Sequence, residues 1–412
     1  MTERSPSFPQ DAVRLYGPEF ADSPARSYRD MRQRYGPVAP VLLDGDVPAW
    51  IVLSYREVHL AMSSPELFGR DSRRWNLWDR IPPDWSLMPY VAWAPSALFA
   101  EGAEHQRRAG AISDALDAVD RVELAGICEW AADRLIDSFV GDGAADLLTQ
   151  YAQQIPTLVV SRLFGMAEAD IQTIADDFAA AGSEGGDAMK AFQRLYALIE
   201  RLVAERRAEP GPGVPSRLIV HPAGLTDEEI ATDLQLVMSG SQQPTSDWIG
   251  NTLRLMLTDD QFSITLQGGR SNATQALNEV LWKDTPIQNL IGRWAAQDCE
   301  FGGQRIKKGD MLVLCLAAAN TDPQARPDSF AGTSMNRAHM SFAHGEHSCP
   351  FAAPELAEIM AKTAVEVLLD RIPDVALTVP PGNLNWRRSA WIRGLESLPV
   401  SFTPTMAVAP LR

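Results

Sequence analysis

Along residues 111–140, and again along 170–207, apolar side chains return every three or four positions among Ala, Leu and charged residues. That spacing lays a hydrophobic stripe down one side of an α-helix. Thr226-Asp227-Glu228-Glu229 places Thr and Glu three apart, the reciprocal capping arrangement that opens a helix, and the pattern behind it predicts a helix running toward Met256. Strand-like runs are short and lie near the chain ends, at 49–53, 311–316 and 398–402. The expected architecture is mainly α with a minor β region.

Bulk properties narrow the class. The 412 residues contain no Gly/Ser linker, repeat or low-complexity tract, and the Pro/Gly-rich stretch 208–215 reads as a loop between helices. One domain spanning 1–412 is therefore expected. No apolar run is long enough to cross a bilayer, and no basic-then-apolar leader opens the chain. Cys128, Cys299, Cys315 and Cys349 show no framework spacing, which suits a reducing cytoplasm. The formal charge of −16 argues against a nucleic-acid binder. A cytoplasmic monomer, with neither nucleic-acid nor membrane partner, is expected.

The strongest chemical signal is Ser341-Phe342-Ala343-His344-Gly345-Glu346-His347-Ser348-Cys349-Pro350, which sets one cysteine in a Gly- and His-containing turn ahead of an amphipathic segment. A thiolate at the mouth of a helix gains from unpaired N–H groups and the helix dipole. Nothing nearby supplies the further ligands of a zinc site. That leaves a single axial sulfur on haem iron, or an ordinary free cysteine, and spacing alone keeps both open.

The segment resembles the haem-binding loop of the cytochrome P450 family: Phe342, Gly345, His347 and Cys349 match its pattern. Ala343 and Phe351 stand where the family usually has Gly. The resemblance extends over nearly the whole chain, through Arg34-Tyr35-Gly36-Pro37-Val38 at the start of the first sheet and Ala317-Ala318-Ala319-Asn320-Thr321-Asp322-Pro323 and Asn336-Arg337 before the haem loop. It implies the cytochrome P450 fold, haem b with Cys349 as axial thiolate, and a ferredoxin-type electron donor. It also implies propionate partners at His347, Arg293 and His105. The family's Arg four residues after that His is Ala109 here, with Arg108 or Arg107 as substitutes that project at a different angle.

Three departures from the family stand out. Its Glu-x-x-Arg is Glu279-Val280-Leu281-Trp282, as in an actinomycete subgroup carrying Trp, and the second Arg of that network aligns near Ser334. The Trp282 indole is expected to donate to Glu279 in place of the guanidinium. On the oxygen-binding helix, Gln243 and Pro244 take the places of the acid–Thr pair that delivers protons. Thr245 and Ser246 are the next hydroxyls, and counting from Ser239-Gly240 moves the register by one. A proline there is expected to kink the helix and free a carbonyl. Third, residues 75–93 are rich in aromatics, and Trp75, Trp78, Trp85, Met88 and Tyr90, with Gly240 and Trp391, are expected to shape a substrate pocket. Core packing is the plain alternative for these side chains.

These features imply a haem-thiolate oxidase that activates dioxygen to hydroxylate, or to couple through phenol or indole radicals, an aromatic or peptide-like natural product. The alternatives are a non-catalytic haem or recruitment module with the same fold, and a peroxide-driven oxidase.

Overall fold

The computed structural model describes residues 8–9, 11–181, 187–259, 262, 271–325 and 336–407. They gather into two compact units, each assembled from several chain segments, so no single cut in the sequence separates them. One draws on Met1–Gln106, Trp282–Cys349 and Arg387–Arg393, the other on Arg107–Leu281, Pro350–Trp386 and Gly394–Arg412.

The first unit is built on a six-stranded sheet, in the order Val13–Arg14, Val38–Leu43, Val47–Val52, Met311–Cys315, Asn289–Ala295, Phe68–Gly69. Its first pair and the Val47–Val52/Met311–Cys315 pair are parallel, the others antiparallel. Val38–Leu43 and Met311–Cys315 are buried at every position, which explains their continuous apolar sequences. The strand Asn289–Ala295 carries no such run. It holds Gly292 at φ +92°, in a bulge where the register shifts between Ile291 and Arg293, and the bulge breaks the alternation that marks a strand.

The second unit is helical. The 111–140 pattern resolves into Gly102–Asp117 and Arg121–Asp137. Asp120 starts the second helix by accepting the N–H groups of Val122 and Glu123 at 2.7 and 3.0 Å. The 170–207 pattern resolves into Glu168–Ala181 and Asp187–Ala208, and the residues between fall outside those described. Thr226 and Glu229 form the expected capping box, and the helix it opens, Asp227–Thr258, runs past Met256. Ala353–Arg371 is fastened to its neighbours by Tyr151 Oη on the Ala364 carbonyl (2.6 Å) and by Arg371 on Asp133 and Asp137 (2.5 and 2.6 Å). A three-stranded sheet of Ala376–Leu377, Pro399–Ser401 and Ala144–Asp146 completes the unit. Among the described residues, no helix is long and apolar enough to cross a membrane.

Candidate active site

The Cys349 loop closes on itself. The Phe342 carbonyl accepts the Cys349 N–H at 3.0 Å, Met340 accepts from Ala343 at 2.8 Å, and Gly345 accepts from Ser348 at 3.1 Å. Gly345 sits at φ +76°, and a Cβ there would lie 2.5 Å from the Met62 carbonyl oxygen. Only glycine meets both demands. Ala343 holds the left-handed region too, at φ +59°, which explains why glycine is the family's usual choice there. Cys349 keeps accessible surface, yet the protein crowds it, and this burial pushes its thiol up to about 11. Among the described residues, no three His, Cys, Asp or Glu side chains group as a metal site.

Around this loop the first unit gathers two histidines and two buried arginines. The rings of His105 and His347 lie 3.8 Å apart between centroids. His105 is fixed at both nitrogens, Nδ1 against the Ala97 carbonyl (2.8 Å) and Nε2 against the Glu346 carbonyl (2.9 Å). His347 is pushed down to about 2, by burial first and then by His105, Arg70 and Arg293. Arg293 is fully buried and donates Nη1 to the Phe68 carbonyl at 3.2 Å. Its Nε and Nη2 are buried with no partner, and burial pulls it down to about 10. Orphaned guanidinium donors beside crowded histidines call for an anion. A haem, carrying two carboxylates, fits that demand.

In the second unit, Asp227–Thr258 runs through Pro244 without interruption. One helical hydrogen bond is missing there, because Pro244 has no N–H to give the Gly240 carbonyl. Gln243 Nε2 and Ser246 Oγ are buried without partners, as is Ser239 Oγ. Positions 239, 243 and 246 share one helical face, so three unpaired polar groups line it. Thr245 is buried, and a Cβ built on Gly240 meets nothing within 4 Å. Sequence reading overlooked Ser239 as a functional group; its signal was the i, i+4, i+7 spacing.

Several expectations give way. Arg108 spends its guanidinium inside the second unit, Nε and Nη2 on the two Asp233 oxygens at 2.9 and 2.8 Å, both side chains buried. Arg107 pairs with Glu229. Neither replaces the arginine absent at Ala109. The Trp282 indole donates to the Asn336 carbonyl at 2.9 Å rather than to Glu279, and Ser334 lies outside the described residues. Trp85 belongs to the core, 5% exposed, with its N–H on the Asp44 carbonyl at 2.9 Å. Trp75 packs against both Trp85 and Trp78, ring centroids 5.6 and 5.1 Å apart, and its own N–H is buried and unpaired. The Trp78 N–H is taken by the Ser72 carbonyl at 2.5 Å. Met88 and Trp391 are partly buried against this cluster, and Tyr90 is half exposed. The aromatic stretch is thus mainly a wall of core. Beside it opens a recess of ≈ 230 Å³ whose lining includes Arg73, Trp93, Phe99 and Glu104.

No protein-family model matches the chain. It is similar to cytochrome P450 107B1 of Saccharopolyspora erythraea, 28% identical over 389 residues that cover 91% of this chain and 94% of that protein. It is equally similar to the polyketide biosynthesis cytochrome P450 PksS of Bacillus subtilis, 28% identical over 309 residues, 73% and 76% of the two chains. Among solved structures, CYP154C4 from a Streptomyces species superposes with a TM-score of 0.86 at 26% identity, covering 96% of this chain and 99% of that one. The chain has the cytochrome P450 fold, it is similar over most of its length to bacterial cytochrome P450s, one of them of polyketide biosynthesis, and like them it is an enzyme.

Proposed function

We propose that the chain is a haem-thiolate oxidase that hydroxylates or cross-couples an aromatic or peptide-like natural product, with electrons from a ferredoxin-type donor. The observation that carries this is the Cys349 loop together with Arg293, a buried guanidinium with two unpaired donor nitrogens. Haem, when bound, supplies dioxygen activation. Cys349 would hold its iron through Sγ: burial disfavours a free thiolate, so binding a metal cation there would displace the thiol proton. Arg293 would hold its carboxylates by charge and through its unpaired Nε and Nη2, and neutral His347 by hydrogen bonding, while His105, tied at both nitrogens, packs against His347 and positions it.

Proton handling departs from an acid–alcohol pair. Gln243 Nε2 donates a hydrogen bond but releases no proton, and Pro244 has no hydroxyl. The Gly240 carbonyl freed by Pro244 is an acceptor for water, and Ser246 Oγ, on the Gln243 face, both donates and accepts. The relay therefore runs through water and Ser246, with Thr245 Oγ1 one residue away. Trp75, whose indole N–H is buried without a partner, is the donor we assign to the substrate. Product mass tests the reaction type: a gain of one oxygen indicates hydroxylation, a loss of two hydrogens indicates coupling, and neither product from any aromatic or peptide candidate contradicts the proposal. The unusual Gln243–Pro244 pair also favours a second reading, direct use of peroxide. Turnover faster with peroxide than with ferredoxin would support it.

A further inference from the structure

Phe68–Gly69 pairs antiparallel with Asn289–Ala295, Phe68 opposite Ala295 and Gly69 opposite Trp294. Carried one residue further, that register sets Arg70 opposite Arg293. Like charges directly opposed across a ladder repel, and here both guanidiniums are buried, Arg70 at 3% and Arg293 at 0% exposure. The sheet edge's own backbone holds Arg70 in place. Its Nη1 donates to the carbonyls of Ile291 and Gly292 at 2.8 and 2.7 Å, and its Nε to Leu98 at 3.4 Å.

Neutral carbonyls orient a guanidinium without cancelling its charge. Glu346 and then Glu101 are the carboxylates whose charge reaches Arg293. Glu101 is committed to Arg74 and to the N–H groups of Arg70 and Asp71. Among the described residues, no carboxylate comes within ion-pair distance of Arg70 or Arg293. Burial pulls Arg70 down to about 9, with Arg293 adding repulsion. Two opposed, buried, uncompensated cations are half of an ion pair whose anion is not part of the chain.

We propose that Arg70 is a carboxylate-binding residue, paired with Arg293 in a two-guanidinium site, and that its carboxylate is a haem propionate. The proposal rests on the haem reading above. Two guanidiniums match two propionates in charge. Arg107 and Arg108 are spent on Glu229 and Asp233, so Arg70, at the end of a sheet strand, makes good the cation that the helix lacks at Ala109. Arg70 also shares its surroundings with His347, two residues before the proposed iron ligand.

The test uses the full-length protein and its Arg70→Gln and Arg70→Lys variants, loaded with haem or with haem dimethyl ester, whose carboxylates are masked. The readout is the rate of haem loss to an apoglobin acceptor. Arg70→Gln is expected to lose native haem roughly 10-fold faster or more, the size of a charged hydrogen bond removed, with Arg70→Lys in between. With the dimethyl ester, wild type and variant should lose it at the same rate. If Arg70→Gln fails to fold, Arg70→Lys carries the comparison. Unchanged retention of native haem would overturn the propionate assignment. A parallel titration with indole-3-carboxylate and its methyl ester, read by the Soret shift, identifies the other source. Weaker binding of the acid alone, with haem retention unchanged, would overturn the propionate assignment in favour of a substrate carboxylate. A wild-type protein that takes up no haem overturns the cofactor reading itself.

Discussion

Ala343 and Gly345 show how closely the Cys349 loop is drawn. Both hold positive φ, but only Gly345 is free of a Cβ. A left-handed non-glycine residue costs about 1–2 kcal/mol, partly offset by the greater chain entropy of glycine. Ala343→Gly should therefore stabilise the protein by up to about 1 kcal/mol, seen as a higher thermal midpoint. Gly345→Ala should do the reverse and more, because its new methyl meets a backbone oxygen that cannot step aside; a midpoint equal to wild type would contradict this geometry. Trp282→Phe should cost about 1 kcal/mol by leaving the Asn336 carbonyl without its donor. Trp282→Arg should be worse, since it buries a charge at a site only 2% exposed. These residues also mark how far the sequence could be read. Cys349, His347 and Gly345 lie within five positions of one another, so their pattern is local and legible. The Arg108–Asp233 pair spans 125 positions, and Arg70 meets Arg293 only because a strand pairing brings them together. Neither leaves a local pattern.

At the scale of elements, Asp227–Thr258 carries its boundary and its anomaly in the sequence. Thr226 and Glu229 announce its start, and Thr226→Ala should cost about 1 kcal/mol in unfolding experiments. Pro244→Ala returns a backbone donor to the Gly240 carbonyl and should raise stability by roughly 1–3 kcal/mol. It should also lower the share of electrons that end in product, because the carbonyl we assign to the proton relay would then be occupied. A more stable variant with unchanged coupling would mean that Pro244 shapes the helix and nothing else. Strands were harder to read. Met311–Cys315 is continuous and apolar and was legible, whereas Asn289–Ala295 hides behind the Gly292 bulge and the charged Arg293. The aromatic run 75–93 was legible as a cluster, but its division between core and pocket was not. The Asp44 carbonyl that claims the Trp85 indole lies 41 positions away.

For the whole molecule, acid sensitivity follows from a buried histidine. His339 is held down to about 4, mainly by burial, with repulsion from Arg337. In the unfolded chain it titrates near 6.5, so between those values the unfolded state binds the extra proton. Stability should then be full above pH 6.5 and fall toward pH 4 by up to about 1.4 kcal/mol per pH unit. His347, held down to about 2, contributes a limb of its own over the same range, so His339→Phe should reduce the slope of urea midpoints taken across the range without abolishing it, and an unchanged slope would assign the acid sensitivity elsewhere. The central claim is that Cys349 is an axial thiolate on haem iron. It is tested most directly by the absorption spectrum of the purified protein, reduced and exposed to carbon monoxide. The account predicts the red-shifted Soret band of thiolate ligation, lost in Cys349→Ser. A band typical of a neutral ligand, or no haem absorption at all, would contradict it.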